Sequence, residues 1–393
     1  MQGLVRSPRV LVVSHPAVVA ANQAVYVALA DRGNDVHLVV PQVWQHDYAD
    51  KPLPPEVDPR LSGRVHTARI SAPGSVQRHV YLAPTPTAWL RRLRPDVVFI
   101  EEEYYSVPAA QWGRACARAG IPFGVQADEN LDRSLPAPAR VLRHLVLRDA
   151  AFVAARSPDA ARLVRRYTPA RSAPLRSAIV PHSLPLWDDA PRPEVGWEPP
   201  NRHRPSHVLR QPSAPAPPLT IGYAGRFVAA KGIDDLFDAI DLLEQPVRLL
   251  LAGSGPLADA LHDRAVSSRW PVTFTGPIPH HEMPTFLTSL DVLVLPSRTT
   301  ETWAEQFGRV LVEAAWSGAR VVGSSSGAIP WVVDSLACGL VFNEGDPHAL
   351  AQALTRVAHG AEPDRHHISL LFGARGAAKR LDDLCKSATS LKI

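Results

Sequence analysis

The stretch that decides the fold covers residues 291–333 and reads DVLVLPSRTTETWAEQFGRVLVEAAWSGARVVGSSSGAIPWVV. A short apolar run ends in Pro-Ser and is followed by a polar loop that reaches Glu305, and a second apolar run, RVVG, opens into a Ser-Ser-Ser-Gly loop. This order predicts a strand, a loop, a helix and a second strand. In open parallel sheets ligands bind where strand ends meet helix starts, so we expect a nucleotide near Glu305 and Phe307-Gly308.

Length and composition set the class of protein. The 393 residues exceed one typical domain, so two domains are expected. Hydrophobic residues make up 46% and charged residues 20%, which is typical of a soluble globular protein. The net charge is only +4 and the basic residues are scattered, so nucleic acid is not the favoured partner. Anionic small molecules and an acidic membrane surface stay open as partners.

Three cysteines, far apart and odd in number, do not suggest a disulfide framework, which favours a reducing cytoplasm. The first apolar run is interrupted by Ser14, His15 and Pro16 and continues as a strand and turn, so a signal peptide fits poorly. No stretch reaches the roughly 18 apolar residues that span a bilayer. We therefore expect a cytoplasmic protein, with peripheral contact to the inner membrane surface as a possibility.

Strands alternate with helices in two separate parts of the chain. Residues 1–190 predict one mostly parallel, doubly wound α/β sheet, and the pattern restarts over residues 219–360. The proline-rich segment 191–218 between them predicts a linker, and residues 361–393 predict a helical tail. Residues 41–86 predict an irregular excursion with one strand near its centre. The expected fold is two facing Rossmann-like domains with a cleft between them.

Two cations follow the first strand of the second half. In GRFVAAKGID, Arg226 and Lys231 lie in a loop at a strand's carboxyl end. Arg can bind a pyrophosphate with a two-pronged fork and Lys as a point charge. The alternative is that both residues simply cap a surface turn.

Two glutamates stand eight positions apart in EQFGRVLVE. Glu305 is predicted in the loop before a helix, where the amides of Phe307, Gly308 and Arg309 can hold an anion, and Glu313 inside that helix. Carboxylates accept hydrogen bonds from paired hydroxyls, so Glu305 could bind a sugar and Glu313 a ribose. The alternative is a pair of ordinary surface charges, although Glu313 is surrounded by apolar residues, where a carboxylate is costly without a partner.

The motifs GRFVAAKGID, TGPIP, DVLVLPS, EQFGRVLVEAAWSGARVVGSSSGAIP and GLVF closely resemble those of retaining glycosyltransferases of family 4, which have the two-domain GT-B fold. The resemblance is specific over residues 219–359 and rests mainly on the order of elements over residues 1–190. It implies an α/β fold of two facing Rossmann-like domains with parallel sheets and an active site in the interdomain cleft.

The resemblance also implies roles for single residues. Arg226 and Lys231 match the cations that stabilise the leaving pyrophosphate, and Glu305 the glutamate on the donor sugar. Glu313 matches the residue on the ribose, and Ile278 falls where backbone contacts the base. The turn Phe307-Gly308-Arg309 matches the one whose amides face the sugar and phosphate.

The implied activity is transfer of a sugar from a UDP- or GDP-sugar to an acceptor hydroxyl, with retention at the anomeric carbon. The family typically needs no metal, and no cofactor is expected.

Several positions depart from the family pattern. The first loop, SHPAVVAANQ, lacks paired glycines, and Trp331 stands where a glutamate is common. Where the family often has a histidine near the sugar, this chain has Asp128, Glu129 and Asn130. Asp128 is the catalytic candidate by position, and the alternative is a helix-capping turn.

The acceptor side is predicted at the end of another strand. Glu102 and Glu103, in the run Glu101-Glu102-Glu103, face the expected cleft and could bind acceptor hydroxyls together with Asn130. The alternative is a solvated charge run. The sixteen histidines show no metal-ligand spacing, so we interpret them as surface or loop residues and expect no metal site.

A second class of function stays open. The chain could be a non-catalytic nucleotide-sugar-binding or scaffold protein on the same fold, which the altered first loop and Trp331 would favour. A phosphorylase or epimerase is a third interpretation. The complete donor set Arg226, Lys231, Glu305 and Glu313 favours the transferase.

Overall fold

The computed structural model describes residues 7–46, 51–170, 175–184, 218–279 and 282–390. The chain divides into two compact units, Met1–Asp188 with Ser369–Ile393 and Asp189–Ile368. The predicted linker lies outside the described residues except for Pro218, as does the pair His280-His281.

The first unit is built on an eight-stranded sheet whose order is β4-β3-β2-β1-β5-β6-β7-β8. All neighbours pair in parallel except β3 and β4. The central strands are apolar and buried on both faces, as parallel strands covered by helices must be. The strands are β1 (Arg9–Ser14), β2 (Asp35–Pro41), β3 (Val65–Ser71), β4 (Val80–Ala83), β5 (Val97–Glu103), β6 (Phe123–Ala127), β7 (Phe152–Ala155) and β8 (Arg176–Ile179).

Helices connect these strands and begin where the sequence supplies capping residues. Ser106 and Ser157 each accept a hydrogen bond from the backbone three residues on (3.2 Å in both), which satisfies one orphan amide at the helix start. A proline stands in the first turn of both helices. The helices are α1 (Ala24–Asp31), α2 (Pro86–Leu93), α3 (Val107–Ala119), α4 (Ala137–Asp149) and α5 (Pro158–Tyr167).

The excursion at residues 41–86 is more regular than the sequence predicts. It contains the expected strand, β3, and also β4, which pairs with β3 in antiparallel fashion at the sheet edge. β4 has only four residues, too few for a recognisable alternation of apolar and polar residues, so the sequence does not predict it. Pro86 then begins α2 rather than a loop.

The second unit has a six-stranded parallel sheet of order β11-β10-β9-β12-β13-β14. Its strands are β9 (Leu219–Ala224), β10 (Val247–Ala252), β11 (Val272–Gly276), β12 (Val292–Leu295), β13 (Arg320–Ser324) and β14 (Gly339–Phe342). Its helices are α6 (Ile233–Asp241), α7 (Ala258–Ser267), α8 (Met283–Thr288), α9 (Arg309–Ser317), α10 (Ile329–Leu336) and α11 (Pro347–Val357).

Two further helices end the chain, α12 (Arg365–Phe372) and α13 (Ala374–Thr389). α13 packs against α1 in the first unit, where the buried carboxylate of Asp382 accepts hydrogen bonds from Arg32 (2.9 Å), Asn34 (3.0 Å) and Lys386 (2.8 Å). Residues 369–393 of the predicted tail are therefore part of the first unit. Within the part of the chain that the structure describes, no helix combines the length and apolar character needed to cross a membrane.

Both sheets contain a point where the strand order reverses. In the first unit it lies between β1 and β5, and in the second between β9 and β12. The loops that leave the two strands at such a point turn to opposite sides of the sheet, which opens a crevice at the strand ends where ligands bind. In the second unit this brings the loop after β9 next to the loop after β12.

Gly232 lets these two loops of the second unit approach each other. Its φ is +61°, and an added Cβ would lie 2.1 Å from the carbonyl oxygen of Pro296, which immediately follows β12. Gly345 has a similar φ of +73°, but an added Cβ there would meet no atom within 4 Å. The two glycines therefore share a backbone conformation and differ in the space around it.

We predict that Gly232→Ala destabilises the protein by about 3 kcal/mol, because the new Cβ adds a backbone clash to the roughly 1–2 kcal/mol that a left-handed conformation costs a residue other than glycine. Gly345→Ala is the matched control and should cost only the roughly 1–2 kcal/mol of the left-handed conformation. Urea unfolding followed by circular dichroism measures both. Equal losses in the two variants would contradict the close approach of the loops.

Candidate functional site

Lys231 and Glu305 form an ion pair at the reversal point of the second unit. Lys231 Nζ lies 2.5 Å from Glu305 Oε2, although the residues are 74 positions apart in the chain. Ser297 Oγ donates a second hydrogen bond to the same oxygen (3.0 Å). Only 19% of the lysine side chain and 12% of the glutamate side chain are exposed, so each charge needs its partner.

The lysine is also held from its other side. Its Nζ lies 4.7 Å from the centre of the Trp303 ring, a distance at which a cation is attracted by the ring face. Trp303 belongs to the same loop as Glu305. One loop therefore supplies both an anion and an aromatic ring to a cation that comes from the loop after β9.

A second contact joins the two loops a few residues away. Arg298 Nε donates to Asp235 Oδ2 (2.8 Å), a second guanidinium nitrogen contacts the other carboxylate oxygen, and the Arg298 amide donates to the carbonyl of Ala230 (2.8 Å). This two-pronged contact with Asp235 raises the pKa of Arg298 above its ordinary value. Asp235 lies in the first turn of α6, so the clamp fixes the β12 loop against the start of that helix.

The backbone of Glu305 is fixed from the β13 side. Its amide donates to Ser326 Oγ (3.3 Å), and its carbonyl accepts from the amide of Ala328 (2.9 Å). Ser326 belongs to the Ser-Ser-Ser-Gly loop that the sequence placed after the second strand of the deciding stretch, and Ala328 directly follows that loop. The carboxylate is therefore positioned by three loops, those after β9, β12 and β13.

Glu305 lies in the loop before α9 and Glu313 inside α9, as the sequence predicts. Both are buried, so the interpretation as ordinary surface charges is wrong. Glu313 is paired with Arg309 one turn earlier (Nε to Oε1, 2.7 Å). Burial raises the pKa of Glu313, and the charge of Arg309 opposes this rise only in part.

The remaining donor-side candidates are spread around the same strand ends. Arg226 is exposed, and its side chain has no hydrogen bond or ion pair with another described residue. Gly308 caps α9 in a left-handed conformation (φ +77°), and Phe307 packs beside Trp331 with ring centres 6.1 Å apart. Ile278 follows β11 and lines a cavity of about 410 Å³.

The first unit buries the acidic run at the end of β5. Glu101, Glu102 and Glu103 are all at least nine-tenths buried, so the interpretation as a solvated charge run is wrong. Glu103 Oε1 accepts the amides of Asp128 (2.6 Å) and Glu129 (3.0 Å). Burial, with the nearby charge of Asp128, raises the pKa of Glu103 well above its ordinary value.

Asp128 follows β6 and lies beside Arg156, whose Nε is 3.3 Å from Asp128 Oδ1. Burial raises the pKa of Asp128 despite this cation. The next helix, α4, begins at Ala137 without a side-chain cap, so the interpretation of this segment as a helix-capping turn is wrong. Asn130, in the same loop, is buried.

Two histidines that the sequence analysis treated as surface or loop residues belong to this cluster. His15, directly after β1, has its Nδ1 2.7 Å from Glu102 Oε2, and His79 Nε2 lies 3.4 Å from Glu102 Oε1. The surface interpretation is wrong for His79, which is fully buried. A signal existed for His15, because it follows a buried strand at the sheet's ligand-binding edge. His79 lies in an irregular loop whose sequence carries no such signal.

No group of three or more histidine, cysteine, aspartate or glutamate side chains with metal-binding geometry occurs among the described residues. Arg226 and Lys231, at the strand ends of the second unit, are positive side chains that can balance an anionic ligand.

Two family models match the chain. Residues 218–359 match glycosyl transferases group 1, and residues 17–181 match the glycosyl transferase 4-like domain. The two matches fall on the second and first units respectively.

Curated relatives carry glycosyltransferase names. A 2-deoxystreptamine N-acetyl-D-glucosaminyltransferase from Streptomyces fradiae is 29% identical over 242 residues, 58% of this chain and 56% of that protein. A GDP-mannose-dependent phosphatidylinositol monomannoside mannosyltransferase from Mycobacterium tuberculosis is 31% identical over 147 residues, 35% of this chain and 38% of that protein. The chain thus spans about half or less of the length of these relatives.

Solved structures match over nearly the whole chain. Sucrose-phosphate synthase from Thermosynechococcus elongatus superposes with a TM-score of 0.62 at 19% identity, covering 98% of this chain and 100% of that one. HepE from Anabaena, in complex with UDP and glucose, gives 0.62 at 16% identity, covering 97% and 100%. At these identities the likeness shows the fold, which confirms the predicted pair of Rossmann-like domains of GT-B type. The chain belongs to the group 1, family 4-like glycosyltransferases.

Proposed function

We propose that the protein transfers a sugar from a nucleotide-sugar donor to an acceptor hydroxyl, with retention of the anomeric configuration. The observation that carries this proposal is the buried pair of Lys231 and Glu305 at the reversal point of the second unit, where the fold places ligands. A cation for phosphate and a carboxylate for sugar hydroxyls stand there within hydrogen-bonding distance of each other.

The donor phosphates are assigned to Arg226 and Lys231. Arg226 is exposed and has no side-chain partner among the described residues, so its guanidinium is available to a pyrophosphate without breaking a contact. Lys231 can move its charge from Glu305 to a phosphate oxygen, because the ammonium has three donors on a flexible stem. The same exchange would release Glu305 to accept hydrogen bonds from the sugar.

The nucleoside is assigned to two neighbouring features. Glu313 would hold the ribose hydroxyls, and the cavity beside Ile278 would take the base. The amides of Phe307, Gly308 and Arg309, at the start of α9, would face the sugar and phosphate. The structure of the HepE neighbour was determined with UDP and glucose, and one relative is named for GDP-mannose, so both UDP- and GDP-sugars are candidate donors.

Catalysis would come mainly from stabilisation of the leaving group. When the bond between the anomeric carbon and the phosphate oxygen breaks, negative charge grows on the nucleoside diphosphate. Arg226, Lys231 and the amides at the start of α9 would interact with that charge more strongly in the transition state than in the ground state. Retention would follow if the acceptor attacks from the face that the leaving group vacates.

The acceptor is assigned to the first unit, where Asp128, Glu103 and Asn130 would contact it and the fully buried Glu102 would act only through its neighbours. Their carboxylate and amide oxygens can accept hydrogen bonds from hydroxyl groups. Two relatives are named for 2-deoxystreptamine, which makes this compound a suitable test acceptor. A cytoplasmic location with peripheral membrane contact stays a prediction.

A thermal-shift panel of UDP-, GDP- and ADP-sugars on the intact protein tests this function. A ligand that binds only the native state raises the unfolding temperature by mass action, and we expect sugars of one base to do so. Binding without any transfer to an acceptor would favour the non-catalytic alternative. No response to any donor would contradict the proposal.

We predict that Glu313→Ala and Lys231→Ala abolish donor binding, because they remove the ribose and phosphate contacts. Glu305→Ala should spare much of the binding and remove transfer, since its proposed contact is with the sugar. Isothermal titration with the responding nucleotide sugar measures the affinities. Glu301→Ala, an exposed carboxylate in the same loop, is the matched control and should bind like the wild type. Unchanged affinity in both of the first two variants would sink the assignment.

We further predict that the product keeps the anomeric configuration of the donor, because the acceptor would attack the face left by the phosphate. Proton NMR of the product formed on 2-deoxystreptamine reads the configuration from the coupling constant of the anomeric proton. An inverted product would contradict retention and leave the transfer activity itself intact.

A further inference from the structure

The reversal point of the first unit carries a histidine and a carboxylate in contact. β1 and β5 are neighbours there, His15 follows β1 directly, and Glu102 is the second-last residue of β5. Two groups of His15 contact the Glu102 carboxylate: the backbone amide lies 3.1 Å from Oε1 and the ring Nδ1 lies 2.7 Å from Oε2. The imidazole is thus fixed in position at the edge where this sheet type binds ligands.

The chemistry of the contact assigns the proton on the ring. An ionised carboxylate only accepts hydrogen bonds, so Nδ1 of His15 must carry a proton. In the neutral ring the lone pair is then on Nε2. That atom has no hydrogen bond with a described residue and is not fully buried, and 15% of the side chain is exposed. His15 therefore offers a basic nitrogen to whatever occupies the strand ends.

Glu102 is held in its charged form by the groups around it. Burial alone would raise the pKa of Glu102, but the charge and hydrogen bond of His15, together with the nearby His79 ring, outweigh it and lower the pKa. His79 is itself oriented, because its Nδ1 lies 3.0 Å from the carbonyl of Ser75. The carboxylate needs both histidines because it is fully buried.

The groups facing His15 make it more basic than a free histidine. Burial favours its neutral form, but the charge and hydrogen bond of Glu102, with the charges of Glu101 on β5 and Asp128 after β6, raise its pKa above the ordinary value. The other titratable neighbour is His79, whose ring centre is 5.7 Å away, and the Trp44 ring covers one side at 4.8 Å. Such an acidic setting repels a phosphate and suits a neutral or cationic acceptor.

We propose that His15 is the general base that takes the proton from the acceptor hydroxyl, with Glu102 as its positioning residue. This inference rests on the proposed transfer activity. The loop after β1 has no pair of glycines and instead carries the His15 imidazole at the strand end.

The step balances as a single displacement. The acceptor oxygen forms a bond to the anomeric carbon as its proton passes to His15 Nε2. The bond from that carbon to the phosphate oxygen breaks, and the nucleoside diphosphate leaves with the electron pair. The imidazolium formed is stabilised by Glu102 and returns the proton to water before the next turnover. The step does not fix the anomeric outcome, which depends on the face of attack.

The test uses His15→Gln, Glu102→Gln and, as a control, His144→Gln, which replaces an exposed histidine of α4. Nucleoside diphosphate release is followed from about pH 5 to about pH 9, a range that brackets the ordinary histidine pKa of about 6.5. The donor is the nucleotide sugar with the largest thermal shift, and the acceptor is 2-deoxystreptamine or water. Nucleotide affinity is measured by titration in parallel.

We expect the wild-type kcat/KM to rise with pH through the pKa of His15 and then level off. His15→Gln should lower kcat by about 100-fold, with nucleotide affinity unchanged. Glu102→Gln keeps a hydrogen-bond acceptor but removes the charge that raises the pKa of His15, so its pH profile should shift to lower pH. A purely structural role for Glu102 would leave the profile where it is. His144→Gln should behave like the wild type.

A wild-type rate in His15→Gln would overturn the inference. A wild-type kcat/KM that falls as pH rises through this range would also overturn it, because the protonated imidazolium would then be the active form. If His15→Gln does not fold, histidine NMR of the wild type decides: a neutral ring protonated on Nδ1 supports the base, and one protonated on Nε2 overturns it. If the wild-type protein binds no nucleotide sugar, the proposed function itself is contradicted, and the inference about His15 is contradicted with it.

Discussion

Lys231 and Glu305 lie 2.5 Å apart because β9 and β12 are neighbours in the second sheet, not because they are near in sequence. Between these strands the chain builds β10, β11 and three helices on one side and returns to the centre of the sheet. Burying both charges is favourable only while each has the other, so the pair ties the β9 loop to the β12 loop as long as no ligand is bound. The close approach at Gly232 and the clamp between Arg298 and Asp235 serve the same junction.

The two units use the same topological feature with opposite electrostatics. The reversal point of the second unit presents Arg226 and Lys231, which suits an anionic ligand. That of the first unit presents Glu101, Glu102 and Glu103, whose charges are balanced in part by His15, His79 and Arg156. This contrast is the physical basis for assigning the charged donor to one unit and the hydroxyl-bearing acceptor to the other.

Much of the second unit could be predicted because its strands and helices are short, regular and strongly patterned. The places of Glu305 before α9 and of Glu313 within it followed from one local stretch. The contact of Lys231 with Glu305 could not be predicted in the same way, since it depends on which strands become neighbours. Strand order is a property of the whole sheet and leaves no mark in the residues of a single loop.

The first unit shows the same limit more strongly. A run of three glutamates is usually exposed, and here it is buried because Arg156, His15, His79 and several backbone amides converge on it. Those partners come from four separate parts of the chain. The four-residue strand β4 was not predicted because so short a run has no measurable period. The burial of His79, which directly precedes β4, was not predicted for the same reason.

We propose above all that the donor binds where the loops after β9 and β12 meet. Amide hydrogen exchange of the intact protein, with and without the nucleotide sugar that stabilises it, tests that claim directly. We expect slower exchange in residues 225–232 and 297–313 when the donor is bound, with residues 258–267 of α7 unchanged as an internal reference. Protection confined to the first unit, or spread evenly over both, would contradict it.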